Sequence, residues 1–95
     1  MAESVRWRAI SAFTLHWRSW GNEHVVYNAG SGDTHLFNDL AALILRALQE
    51  KAATLDELSQ LCATSFNQDE DEELQAQLNE LLLELDRLGI IERIH

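Results

Sequence analysis

The residue pattern changes character at Asn38, and that change limits the fold more than any other feature of the chain. Before it, β-forming runs alternate with turn chemistry. Leu15-His16-Trp17-Arg18-Ser19-Trp20 alternates sides and is rich in aromatic residues, and Gly21-Asn22-Glu23 follows as a turn. His24-Val25-Val26-Tyr27-Asn28 is built of strong β formers. Gly30-Ser31-Gly32-Asp33 reads as a second reversal, because glycine takes up positive φ without steric cost. Thr34-His35-Leu36-Phe37 is then a short third strand. Two tight turns joining three runs predict an antiparallel meander whose spatial order follows the sequence. Val5–Ile10 also alternates and is a candidate outer strand.

After Asn38 the periodicity is helical. The side-chain oxygen of Asn38 or Asp39 can cap a helix through Glu50. Leu40, Ala41, Leu43, Ile44, Leu45, Ala47 and Leu48 cover more than half its circumference, which predicts a central helix covered on several sides. Thr54-Leu55-Asp56-Glu57 is a capping box opening a second helix with Leu55, Leu58 and Leu61 inward. Ala63 to Gln68 reads as a polar connector, with Phe66 as a candidate pin. A third helix is expected from about Asp69 to Leu88, stopped by Gly89. Its stripe, Leu74, Leu78, Leu81, Leu85 and Leu88, steps by four, three, four and three. Ile90-Ile91-Glu92-Arg93-Ile94 is expected to close the fold as a short strand or wing.

The chain has 95 residues, of which 46% are hydrophobic and 24% charged, as in a folded globule rather than a disordered tail. One domain over residues 1–95 is the expectation. Charge is unevenly placed. Residues 1–50 carry four Arg against five acids, a net of −1; residues 51–95 carry Lys51, Arg87 and Arg93 against eleven acids, a net of −8. That field repels phosphate backbones and anionic lipid, so neither nucleic acid nor membrane is an expected partner. Cys62 has no second cysteine with which to form a disulfide, a redox pair or a zinc ribbon. The amino terminus lacks a signal-peptide pattern and no apolar run approaches the ~20 residues of a membrane span, so a cytoplasmic setting is expected.

No arrangement for catalysis or metal binding is expected. His16, His24 and His35 lie on three neighbouring strands, but solvated strand histidines account for them more simply than a zinc site. Ser31, Asp33 and His35 suggest a triad, yet turn residues ending a hairpin explain them better, and no oxyanion donor accompanies them. The glycines fit neither phosphate-loop pattern. The acids Asp69-Glu70-Asp71-Glu72-Glu73 suit a helix start, where exposed N–H groups favour negative charge, better than a calcium loop. The order of the second and third helices and the closing strand resembles that of winged-helix DNA readers. Such readers bring Arg, Lys, Asn or Gln to base edges, whereas this third helix begins with five acids and its sole arginine is Arg87 at the far end, so DNA binding is not expected. Trp7, Trp17 and Trp20 serve either as core residues or as anchors for a partner.

Two features favour a binding surface. The meander leaves Thr34–Phe37 as an edge with unpaired N–H and C=O groups and no proline to blunt it, and such an edge accepts an extended peptide as an added strand. The third helix also holds more leucine than one stripe needs. With the stripe centred near Leu81, Leu82 is expected beside the core, lining a groove, and Leu83 is expected to be exposed or oligomer-bound. A homodimer is therefore an alternative to the monomer.

Three strands followed by three helices, with Val25-Val26-Tyr27-Asn28-Ala29-Gly30-Ser31-Gly32-Asp33-Thr34-His35-Leu36-Phe37-Asn38 leading into Leu40-Ala41-Ala42-Leu43-Ile44-Leu45, resembles the PqqD family of peptide chaperones. Ser31-Gly32-Asp33-Thr34-His35-Leu36, with His16-Trp17-Arg18-Ser19-Trp20 before it, is similar to a branch associated with an HPr-kinase-related system. The resemblance implies an α+β, winged-helix-like, non-catalytic domain without cofactors that recognises a precursor (leader) peptide. The peptide would add as a strand beside Thr34, His35, Leu36 and Phe37 and pack against Leu74, Gln77, Leu78, Leu81, Leu82 and Leu85. The family usually presents its peptide to a separate modifying enzyme, as in pyrroloquinoline quinone biosynthesis. The branch resembled lies outside that pathway and implies an HPr-kinase-like partner. A second expectation is a regulatory or scaffolding subunit that binds such a folded partner through its acidic face.

Overall fold

The computed structural model describes residues 5–10, 15–67 and 71–94. The meander runs β2 (Leu15–Trp20), β3 (Glu23–Asn28) and β4 (Asp33–Phe37), following β1 (Arg6–Ala9) in the chain. Its order in space is β2-β3-β4, antiparallel throughout. Gly21, at a φ of 56°, opens the two-residue loop that lets Trp20 pair with Glu23. The second turn is held from inside: buried Asn28 accepts the Gly32 N–H on its carbonyl at 2.7 Å and the Gly30 N–H on its side chain at 2.9 Å.

Strand alternation sorts the meander into two faces. Leu15, Trp17, Val26 and Phe37 turn inward, and Leu15, Val26 and Phe37 are buried. Trp20, Tyr27 and Leu36 turn outward and are exposed.

β1 is not an outer strand of this meander. It forms the centre of a second sheet between β5 (Ala53–Thr54) and β6 (Ile91–Ile94), with Trp7 opposite both Ala53 and Arg93. The pairing buries Trp7 against α1 (Asp39–Glu50), a contact that local alternation in the sequence cannot reveal. The closing strand is thus present, but it is zipped to the start of the chain instead of standing out as a wing.

Asn38 is the N-cap of α1 and accepts the Ala41 N–H at 2.9 Å. The helix packs against β1, β3, β4 and α2 (Leu55–Ser65), as the breadth of its apolar surface predicts. The capping box of α2 is complete, Thr54 and Glu57 exchanging hydrogen bonds of 2.9 and 3.2 Å. This helix continues through Ser65, so the first half of the expected connector, residues 63–65, is helical, and its buried side chains are Leu58, Ser59 and Cys62, with Leu55 and Leu61 at the flanks. Burial pushes the Cys62 thiol up to about 11.

α3 (Glu72–Arg87) is capped by Asp71; Asp69 and Glu70, expected in its first turn, lie outside the described residues. It ends in a Schellman motif, with Gly89 at a φ of 77°, the Ile90 N–H bonded to the Leu85 carbonyl and the Gly89 N–H to that of Asp86. Leu85 and Ile90, which the motif brings together, are both fully buried. No described helix is long and apolar enough to cross a membrane.

Candidate functional site

Among the described residues β4 pairs with β3 alone, along one side. Its other side faces the flank of α3 across a cleft of about 480 Å³, lined by Thr34 to Asn38, Ala41, Leu81, Glu84, Leu85 and Leu88. A second cleft shares Asn38, Leu81 and Glu84 with the first and adds Leu40, Gln77 and Glu80. A third, reaching Leu74, Asn22 and Phe66, continues from Asn38, Leu40 and Gln77 toward the start of α3. The three form a furrow whose helix wall is Gln77, Glu80, Leu81, Glu84 and Leu88, spaced as one helical stripe.

The structure places the sequence-derived residues unevenly along this furrow. Thr34, His35, Leu36, Phe37, Leu81 and Leu85 line its first part, and Gln77 and Leu74 its extension. Leu82 does not line it. It is wholly buried, as is Leu78, because the core stripe of α3 runs Leu74, Leu78, Leu82, Leu85 rather than through Leu81. Packing against α2 and β6 rolls the helix so that Leu81 becomes the half-buried flank and Leu82 the core. Leu83 is exposed. Sequence reading missed Asn38, Leu40, Ala41, Glu80, Glu84 and Leu88 as wall residues; the three-and-four spacing from Leu81 was the available signal for Glu84 and Leu88.

Side chains along β4 divide by face. His35 and Phe37 point inward with their rings stacked at 6.0 Å, and His35 Nε2 is buried with no hydrogen-bond partner among the described residues. Leu36 points outward at the edge and is 65% exposed. Of the tryptophans, Trp7 is buried, Trp17 lies half-buried under the Arg46 guanidinium 4.3 Å from its ring, and Trp20 is exposed.

The hydrogen bonds argue against the weighed constellations. Ser31 Oγ accepts the Asp33 N–H at 3.3 Å, a turn contact, while His35 sits against Phe37. His16 lies on the outer face beside Tyr27, and His24 and His35 lie on the inner one, so the three do not converge. Among the described residues no three His, Cys, Asp or Glu side chains gather as a metal would require. A Ser–His–Asp chain does exist elsewhere: Ser19 Oγ is 2.8 Å from His24 Nδ1, and His24 Nε2 is 2.7 Å from Asp39 Oδ1. Ser19 and His24 are cross-strand neighbours, so this chain ties the β2–β3 hairpin to the first turn of α1.

Charge on the furrow is one-sided. Glu80 has no ion-pair partner among the described residues, and Glu84 pairs with Arg87 one turn on. The hydrogen bond from Arg87 holds the Glu84 carboxyl below the usual range.

A solved structure, TbiB1 in complex with the TbiA(beta) leader peptide, matches this fold with a TM-score of 0.70 over 90% of this chain and 94% of that one, at 14% identity. No curated protein matches the chain by sequence. The family model described as coenzyme PQQ synthesis protein D matches residues 23–91, which takes in β3, β4, all three helices and the first residue of β6. By that match the chain belongs to the PqqD family.

Proposed function

We propose that this protein is a non-catalytic peptide adaptor, which takes up a precursor (leader) segment as an added strand on β4 and presents it to a separate modifying enzyme. The observation that carries the reading is the open edge of β4 lying along the furrow beside α3. Strand addition satisfies the backbone groups of that edge, and alternate side chains of the guest then fall on opposite faces. Those facing inward meet Phe37, Ala41, Leu81 and Leu85; those facing outward lie beside Leu36. Family membership supports the reading, as does the shared fold with TbiB1, which was solved with a leader peptide. The proposed protein partner is a modifying enzyme or the HPr-kinase-like protein that the resemblance implies.

An NMR titration with precursor peptides from neighbouring reading frames tests this. Amide shifts are expected at Thr34–Phe37 and along Gln77–Leu88. Shifts scattered elsewhere would sink the model.

A further inference from the structure

We infer that the segment seated on β4 is a basic one, carrying on its inward side an apolar residue and a Lys or Arg whose charge meets Glu80 and Glu84. The inference rests on the strand addition proposed above and deepens it, since an open edge alone accepts almost any extended backbone.

The floor and the rim of the furrow differ in chemistry. Phe37, Ala41 and Leu85 form a buried apolar floor, which suits a hydrophobic side chain. Leu81 is the half-buried shoulder between that floor and the solvent-facing carboxylates of Glu80 and Glu84. A side chain that crosses the shoulder must be apolar along its stem and charged at its end. Lys and Arg have that construction, laying methylenes on an apolar surface while the head stays in water.

The sign follows from the walls. β4 carries no Lys or Arg, and α3 carries only Arg87, already engaged by Glu84, against Glu72, Glu73, Glu80, Glu84 and Asp86. An acidic guest at the same position would meet like charge, above all from Glu80, since Arg87 already offsets part of that of Glu84. The net charge of −9 also favours approach of a cationic segment, increasingly so at low salt. Because inward positions recur every second residue, the cation and the apolar anchor are expected two or four residues apart.

A random-peptide phage library selected against the full chain gives the probes. Recovered peptides should be enriched in Lys or Arg at that spacing from an aliphatic or aromatic residue. Replacing the cation by Glu in the tightest synthetic peptide should weaken binding at low ionic strength by about two- to fivefold, the size of one exposed ion pair. An E80K/E84K variant, checked for folding by circular dichroism, should reverse the preference. Peptides that shift the Thr34–Phe37 amides yet show no basic excess and no response to the charge reversal would overturn the inference and leave strand addition standing. Recovered peptides that leave those amides unmoved would overturn both.

Discussion

His24 Nε2 stands 2.7 Å from Asp39 Oδ1 and joins the middle strand of the meander to the first turn of α1. Both ring nitrogens are engaged. A neutral imidazole satisfies the pair when Nε2–H donates to Asp39 and Nδ1 accepts from the Ser19 hydroxyl. The Asp39 carboxylate is also favoured at a helix start. The result is a polar strut at the hairpin end of the sheet whose open edge is the proposed binding strand.

Asp39→Ala is therefore expected to cost about 1 kcal/mol in urea denaturation, the size of one lost hydrogen bond. It should also speed amide exchange in Glu23–Asn28 more than in α3. Uniform exchange across the chain would show that the contact does not hold the hairpin.

Leu81 and Leu82 are adjacent in sequence and opposite in consequence. Leu82→Ala empties part of a fully buried site and should cost roughly 2–5 kcal/mol. Leu81→Ala removes a half-buried flank and should cost less than half as much, yet it should weaken binding of any peptide that shifts the Thr34–Phe37 amides. Denaturation and titration of the two variants together separate core from furrow. Equal binding loss at equal stability loss would place Leu81 in the core after all.

Cys62 offers a probe of opening. Its thiol is buried and pushed up to about 11, so the nucleophilic thiolate is scarce in the folded state. Iodoacetamide at pH 8 should label the native protein far more slowly than the urea-unfolded one. The raised value also has a linkage consequence: folding favours the neutral thiol, so stability should decline as pH climbs from 9 toward 11. Cys62→Ser should remove that alkaline slope, whatever it does to overall stability.

Acid should loosen the entry to α2. The Thr54 N–H donated to Glu57 is the main reason that this carboxyl lies below its ordinary value, with Arg6 and Lys51 adding to it. A depressed carboxyl contributes stability above the unfolded value of 4.5 and loses it as pH falls through the folded one. Glu84 follows the same rule through Arg87. Glu57→Gln should flatten the acid limb of a pH–denaturation series below about pH 5. An unchanged limb would mean that the capping box does not persist in solution.

Much of the fold was legible because its causes are local. The Gly21 and Gly32 turns, the Asn38 cap, the Thr54–Glu57 box and the Gly89 stop each involve residues within a few positions of one another, and each formed. The meander order followed from turns too short to allow another path. The edge at Thr34–Phe37 followed from that order.

What local pattern left undecided was how the elements roll and dock. The pairing of Trp7 with Ala53 and Arg93 joins segments far apart in the chain, and nothing in Val5–Ile10 names those partners. The leucines of α3 fit two overlapping stripes in sequence. Only contact with α2 and β6 chose Leu82 for the core and left Leu81 and Glu84 facing β4, with Glu80 in the adjoining cleft. The sequence alone determined that a bare strand edge and a leucine-rich acidic helix exist. Tertiary packing decided which face of that helix meets the edge, because a helix turns whichever flank its neighbours do not bury toward the space that remains.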